Sequence, residues 1–234
     1  MLVGKTLGFG AIKNEQWDIL SVMEKYDRNR ESKEVLSGTE MSLARRISGE
    51  ILNSAQNRIR EVDFSQVFGP QNVQNDLAKV SKIRNSFSKS KTEERGQILE
   101  AVLLETIKFW FRNNVQVFKA AEYDDYLNAI DLLFVLRNKF GNQAIALSLD
   151  STTSFTSLVK KISTRKGITK VDYYHDGNVR GKAEAVPYNT VYLDDESFTH
   201  LVRLWLKLKT AQNRKDTSAI KSLEKVIYED SIQF

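Results

Sequence analysis

The feature that most constrains this chain is a change in the spacing of its apolar residues. Between Thr92 and Arg112 they recur at three- and four-residue steps, which predicts one long helix with a broad apolar face. Three apolar runs follow, at residues 115–121, 130–136 and 143–149, and their lengths are typical of strands. A helix followed by three strands buries its apolar face best against a sheet, so we expect an α/β domain.

The elements after the third strand continue this domain. A short helix is predicted at residues 154–162, and two further strands are predicted at 168–174 and 186–193. Asp194 or Asp195 is expected to cap the first of two C-terminal helices, because an aspartate accepts hydrogen bonds from free amides at a helix start. The predicted order from residue 92 is therefore α-β-β-β-α-β-β-α-α.

The region before this domain has a helical pattern. Apolar residues keep the helical spacing from about residue 14 to 87, and Thr39 is expected to cap one of these helices. A polar stretch at residues 85–91 is typical of a linker. We therefore predict a helical extension over residues 1–91 and an α/β domain over residues 92–234.

Composition excludes several classes of protein. The chain has no cysteine, so it has neither disulfides nor a thiolate zinc site. Residues 1–12 lack the pattern of a secretion signal, and no apolar run approaches the ~20 residues that span a bilayer. We expect a cytoplasmic protein without membrane contact. The net charge of +5 permits contact with phosphates but does not establish it.

Three acidic residues lie on the predicted long helix and strands, where they are candidates for metal binding or catalysis. Glu100 lies on the long helix, Asp131 at the start of the second strand and Asp150 at the end of the third. Asp131 interrupts an apolar run, where an unpaired charge is costly to bury. Glu100 is equally compatible with an exposed helix position, and Asp150 with a cap for the helix that follows. Three other acidic residues are expected to be solvated: Glu105, Asp124 and Asp125.

These elements and acidic positions resemble the PD-(D/E)XK superfamily of restriction-endonuclease-like nucleases, whose core has the order α-β-β-β-α-β. Members carry a glutamate on the first helix, an aspartate on the second strand and an acidic-x-lysine unit on the third. The resemblance implies that Glu100, Asp131 and Asp150 bind Mg²⁺ or Mn²⁺, and that both aspartates are catalytic. It also implies a restriction-endonuclease-like core between an N-terminal helical extension and C-terminal helices.

This chain departs from the family at the motif lysine. Thr152 stands two residues after Asp150, and its hydroxyl cannot supply a positive charge. Lys160 or Lys161, on the following helix, is expected to reach back into the site as a catalytic residue, as migrated lysines do in some members.

The resemblance implies a metal-dependent nuclease that hydrolyses phosphodiester bonds of nucleic acid, with DNA favoured over RNA. The alternative is a catalytically inactive nuclease fold that acts in nucleic-acid binding or assembly. A third class, a helical interaction protein with an unrelated α/β domain, stays open. The N-terminal helices are expected to offer a surface for nucleic acid, a protein partner or a second copy of the chain.

Overall fold

The computed structural model describes residues 35–86, 91–111, 115–137, 144–164 and 167–232. The helices are α1 (Gly38–Leu52), α2 (Ser65–Phe68), α3 (Pro70–Ser86), α4 (Lys91–Phe111), α5 (Glu122–Asn128), α6 (Phe155–Thr164), α7 (Asp195–Arg214) and α8 (Thr217–Ile232), with a 3₁₀ helix at Glu61–Phe64. The strands are β1 (Val115–Lys119), β2 (Leu132–Arg137), β3 (Ala144–Thr152), β4 (Ile168–His175) and β5 (Arg180–Tyr192). The helical pattern predicted before residue 35 lies outside the described residues.

The described strands form one mixed sheet in the order β1-β2-β3-β5-β4. Strands β1, β2 and β3 pair antiparallel, β3 and β5 pair parallel, and β5 pairs antiparallel with β4. A parallel pair needs a crossover connection, which here contains α6 and β4. The predicted α/β class is confirmed. Within the described residues, no helix is long and apolar enough to cross a membrane.

Helix α4 lies at the centre of the larger hydrophobic cluster. It contacts β1 and β3 as well as α1, α7 and α8, which explains why its apolar face is so broad. Its buried apolar side chains are Ile98, Leu99, Ala101, Val102, Leu103, Leu104 and Ile107. The position of Glu100 in the middle of this series buries it between the helix and the sheet.

The sheet is covered on both faces. Leu132 and Phe134 of β2 belong to the cluster around α4, whereas Leu133 and Val135 belong to a second cluster. Side chains alternate along a strand, so these two clusters lie on opposite faces. The second cluster includes Phe64, Val73 and Tyr173, and Ala44 of α1 belongs to the first. Segments before residue 91 thus contribute to both clusters, and the domain boundary there stays a prediction.

Two helix starts test the capping predictions. Ser37, not Thr39, caps α1: the Ser37 hydroxyl accepts from Glu40 N at 3.2 Å, and Ser37 N donates to the Glu40 carboxylate at 2.7 Å. The prediction for Thr39 is wrong because α1 begins at Gly38, which places Thr39 inside the first turn. The prediction for Asp194 is confirmed, since it accepts from Ser197 N at 2.7 Å at the start of α7.

Candidate functional site

The three predicted metal-binding residues are all buried. Glu100 on α4 is 8% exposed, Asp131 just before β2 is 9% exposed, and Asp150 on β3 is 3% exposed. Glu100 is therefore not the exposed helix residue that its sequence position also allowed. Asp131 N donates to Leu149 O at 2.9 Å and Asp131 O accepts from Ala120 N at 3.0 Å, which ties this residue to both neighbouring strands.

Asp131 is held by the residue that follows Asp150. Its Oδ2 atom accepts hydrogen bonds from Ser151 N at 2.6 Å and from Ser151 Oγ at 2.7 Å. Burial raises the pKa of Asp131, and repulsion from nearby Asp150 raises it further. The positive charge of Lys119 acts to lower this pKa but does not outweigh burial. Asp131 and Asp150 thus lie within electrostatic range of each other at one end of β2 and β3.

Asp150 has partners on two other elements. Its Oδ1 atom accepts from Lys161 Nζ on α6, and its Oδ2 atom accepts from the Tyr188 hydroxyl on β5 at 2.5 Å. Lys161 Nζ also donates to Ser151 O at 3.0 Å. Of the two candidate lysines, the structure therefore places Lys161 against Asp150, whereas Lys160 is exposed.

Asp150 does not cap α6. Ser154 takes that position, because its hydroxyl accepts from Ser157 N at 3.3 Å. Thr152, at the position of the family's lysine, accepts from Ser154 N at 3.1 Å and so helps to form the turn into α6. The threonine at this position has a structural partner of its own.

Lys119, at the end of β1, belongs to this site, although the sequence patterns did not predict it. Its Nζ atom lies 2.7 Å from Glu100 Oε2 and 2.8 Å from Asp125 Oδ2. Burial lowers the pKa of Lys119, but Asp125, Glu100 and Asp131 outweigh burial and raise it overall, which keeps the ammonium group charged. The alternation of side chains along β1 could have predicted its burial, because Lys119 lies on the same face of the strand as Val115 and Val117.

The carboxylates outnumber the ammonium groups in this cluster. Four carboxylates, on Glu100, Asp125, Asp131 and Asp150, have two ammonium groups near them, those of Lys119 and Lys161. The Arg58 guanidinium also acts on Asp125, but it is paired with Glu122. Burial raises the pKa of Glu100, Lys119 opposes this, and repulsion from Asp131 and Asp125 adds to it. Excess negative charge in a buried position favours either a proton or a cation.

The oxygen atoms of this cluster suit a divalent ion, but their present spacing does not. The donors are carboxylate oxygens, which Mg²⁺ and Mn²⁺ prefer, and buried Glu100 Oε2 has no hydrogen bond of good geometry among the described residues, although Lys119 Nζ lies nearby. Among the same residues, however, no three carboxyl or imidazole groups converge closely enough to hold a metal. The donor chemistry fits an ion, but Lys119 lies between Glu100 and Asp125, and Lys161 contacts Asp150.

Asp124 is not solvated, so that prediction is wrong. It is completely buried, with Oδ1 accepting from Asp172 N at 2.8 Å and from Asn128 Nδ2 at 2.7 Å, and Oδ2 accepting from Tyr173 N at 2.9 Å. The physical reason is that residues 122–128 form α5, which packs against β4. The carboxylate thereby satisfies backbone amides of a neighbouring strand.

Asp125 and Glu105 are only partly exposed, and each has a lysine partner. Asp125 contacts Lys119 as described above. Glu105 accepts from Trp205 Nε1 at 2.7 Å and from Lys209 Nζ at 2.5 Å, on the side of α4 that faces α7. Glu100 and Glu105 thus offer two lysine-paired carboxylates on one helix, of which only Glu100 belongs to the candidate site.

The variant Asp124→Asn is expected to lose about 1–3 kcal/mol of stability, because an amide nitrogen cannot accept the hydrogen bonds of a carboxylate oxygen. Burial raises the pKa of Asp124 to about 6, despite hydrogen bonds from Asp172, Asn128 and Tyr173 that lower it. The folded chain therefore binds this proton more tightly than the unfolded chain, whose value is about 3.9. Its contribution to stability is full below about pH 4 and is lost as the pH rises through about 6.

The measurement for this variant is urea unfolding of both proteins at several pH values between 4 and 7.5. The difference in unfolding free energy between wild type and Asp124→Asn is expected to be larger at pH 4 than at pH 7.5. A difference that grows with pH would contradict the assigned burial of this carboxyl.

The fold and the site define an α/β protein with a buried carboxylate cluster that two lysines partly neutralise. No protein-family model, curated protein or solved structure matches the chain. The likeness to PD-(D/E)XK nucleases accordingly rests on element order and on where Glu100, Asp131 and Asp150 lie.

Proposed function

We propose that this chain is a divalent-metal-dependent, nuclease-like protein that hydrolyses phosphodiester bonds of nucleic acid, with DNA the favoured substrate. The observation that carries the proposal is the buried excess of carboxylates over lysines described above. Four carboxylates against two ammonium groups leave a formal charge of −2 when all are ionised, and one divalent cation offsets that charge.

The order of elements supports the finer assignment to a restriction-endonuclease-like core. Helix α4, strands β1 to β3, helix α6 and strand β5 follow the order α-β-β-β-α-β, with β4 as an additional strand at the sheet edge. In this arrangement the helix glutamate and the two strand aspartates occupy the elements on which the superfamily carries its metal ligands. The superfamily lysine is replaced by a lysine from α6.

In this mechanism, Glu100, Asp131 and Asp150 would hold the ion. A bound Mg²⁺ or Mn²⁺ lowers the pKa of a water and stabilises charge on a phosphoryl group. The chain's own residues do the positioning: Ser151 fixes the Asp131 carboxylate with two hydrogen bonds, and Tyr188 fixes that of Asp150.

Two lysines contribute charge. Lys161, next to Asp150, provides a positive charge that can offset the charge developing on the phosphate during hydrolysis. Lys119 offsets part of the repulsion between Glu100 and Asp125. An ion shared by Glu100, Asp131 and Asp150 requires these side chains to adjust, because no three of the described acidic groups now converge.

A second candidate is a nuclease fold without hydrolysis, which binds nucleic acid or assists assembly. A specific observation favours it: Lys119 and Lys161 already act as counter-ions to the carboxylates. In this case the cluster stabilises the fold, and nucleic acid binds elsewhere on the surface. The two candidates differ in whether a divalent ion binds.

The test combines calorimetric titration with Mg²⁺ and Mn²⁺ and a cleavage assay on single- and double-stranded DNA and RNA. The proteins are the wild type, Glu100→Gln and Glu105→Gln. The two variants remove the same charge from the same helix, but only Glu100 faces the proposed ion. We expect Glu100→Gln to weaken ion binding and cleavage, and Glu105→Gln to leave both unchanged.

Either clear result decides between the candidates. Cleavage that requires the ion and is lost in Glu100→Gln supports the nuclease. Absence of both ion binding and cleavage in the folded wild type rejects it and supports the non-catalytic candidate. Equal losses in the two glutamine variants would mean that the effect is on the stability of α4 rather than on the site.

A further inference from the structure

A cavity of about 530 Å³ lies outside the carboxylate cluster, bounded by α2, α3, α5 and the hairpin of β4 and β5. None of the four clustered carboxylates lines it. Its volume falls within the range of about 300–1,000 Å³ that is typical of small-molecule sites. The lining combines aromatic rings with lysines, carboxylates and asparagine amides.

The aromatic side of the cavity is held rigidly. Phe68 and Tyr123 are half-buried, and both pack edge-to-face on the buried ring of Tyr173, with centroid distances of 5.5 Å and 5.6 Å. Tyr173 is fixed in turn by a 3.0 Å hydrogen bond from its hydroxyl to Asp76. These contacts orient two partly accessible rings before any ligand arrives.

One lysine ammonium group lies over each of these rings. Lys182 Nζ lies 5.7 Å from the centroid of the Phe68 ring, and Lys79 Nζ lies 5.7 Å from that of Tyr123. Lys182 and neighbouring Lys170 both pair with Asp172 at 2.9 Å, and Lys79 pairs with Asp76 at 2.7 Å. These three ammonium groups outnumber the two carboxylates with which they form close pairs.

The charges of the three lysines and of Asp172 are stable near neutral pH. Hydrogen bonds with Asp172 raise the pKa of Lys170 and Lys182, and the one with Asp76 raises that of Lys79. Burial acts to raise the pKa of Asp172, but the combined hydrogen bonds from Lys182, Lys170 and Asn128 lower it to about 2. The lysine side chains are each more than half exposed, so their ammonium groups can reach a ligand in solvent.

We propose that this cavity binds one unpaired nucleobase of a single-stranded nucleic acid, with the base against Phe68 and Tyr123 and its phosphate at Lys79 and Lys182. Stacking on aromatic rings accepts any base, because every base has a π-face. Lysines on the rim supply the charge that follows a phosphate backbone. The inference rests on the proposed function only for the class of ligand, nucleic acid.

Helix α5 contributes one residue to the cavity and another to the carboxylate cluster. Tyr123, which lines the cavity, and Asp125, which contacts Lys119, are separated by one residue on α5. Side chains two residues apart on a helix do not face each other, so the cavity and the cluster lie on different sides of α5.

The test measures binding of a fluorescently labelled ten-nucleotide single strand, as DNA and as RNA, by anisotropy in EDTA, where no metal-dependent cleavage occurs. Phe68→Leu and Tyr123→Leu are expected to bind about tenfold more weakly, since stacking is lost. Tyr123→Phe keeps the ring and is expected to bind like the wild type. Phe155→Leu removes a half-buried ring elsewhere and serves as the matched control.

A variant at the more exposed Lys182 supplements the two ring variants. Lys182→Gln is expected to weaken binding of every sequence alike and to reduce the slope of log affinity against log salt by about 1. Thermal melting of each variant identifies any that do not fold.

The outcomes separate this inference from the proposed nuclease. Binding that depends on Phe68 and Tyr123 supports the cavity even if no metal-dependent cleavage is found. Cleavage with unchanged binding in both leucine variants overturns the cavity and leaves the nuclease in place. The inference is also overturned if the wild type fails to bind the single strand, or if Phe155→Leu loses as much affinity as Phe68→Leu.

Discussion

Replacing Lys119 with methionine is expected to lower the free energy of unfolding by about 3–5 kcal/mol, the range for removing one partner of a buried ion pair. Methionine retains most of the side-chain length but leaves Glu100 and Asp125 without their shared ammonium group. The backbone of Lys119 is also fixed, since its N donates to Asn57 O at 2.6 Å and its O accepts from Ile59 N at 3.0 Å. The side chain therefore has little freedom to avoid the unpaired charges.

The measurement is urea unfolding of Lys119→Met, Glu100→Gln and the double variant. The double variant is expected to be more stable than Lys119→Met alone, because it removes a buried carboxylate that lacks a counter-ion. Lys209→Met, which removes the half-buried partner of Glu105, is the matched control and should cost less than Lys119→Met, because Glu105 keeps its hydrogen bond from Trp205 Nε1. Equal losses in Lys119→Met and Lys209→Met would contradict a special role for the buried pair.

Replacing Lys161 with methionine is expected to reduce the rate of metal-dependent cleavage by about 10²–10³-fold, the loss typical of removing one preorganised stabiliser of transition-state charge. Lys161 contacts both Asp150 and Ser151 O, whereas neighbouring Lys160 is exposed. Lys160→Met is therefore the matched control and should cleave at nearly the wild-type rate. This prediction rests on the proposed nuclease activity.

The decisive measurement is single-turnover cleavage at saturating Mn²⁺ for the two methionine variants and for Lys161→Arg. Lys161→Arg keeps the positive charge and should retain more activity than Lys161→Met. A similar loss in both methionine variants would indicate a general effect of charge on substrate binding. A loss confined to Lys160→Met would contradict the prediction, because it would give this role to Lys160 and not to Lys161.

The sequence predicts the elements whose pattern is strong over many residues. The helical spacing from Thr92 gives α4 to within about a residue at each end, and the three apolar runs give β1, β2 and β3. The burial of Asp131 follows from its apolar neighbours in the same way, since a residue within an apolar run is carried into the core with that run.

Short elements and tertiary partners are not predictable from these patterns. Helix α5 has only seven residues, fewer than a helix needs to be stable alone, and Asp124 joins it to β4 by hydrogen bonds that no local pattern reveals. The polar first half of β5 is a strand because it pairs with β4, although its sequence lacks an apolar alternation. Lys119 and Tyr188 reach Glu100 and Asp150 from distant parts of the chain.

Three consecutive residues of α5 contact three different parts of the protein. Tyr123 lines the cavity, Asp124 bonds to the backbone of β4, and Asp125 pairs with Lys119. Because these three contacts lie on one seven-residue helix, a ligand that displaced α5 at the proposed cavity site would also change the distance between Asp125 and Lys119. Occupancy of the two proposed sites would then be linked thermodynamically, and each ligand would alter the affinity for the other by the same factor.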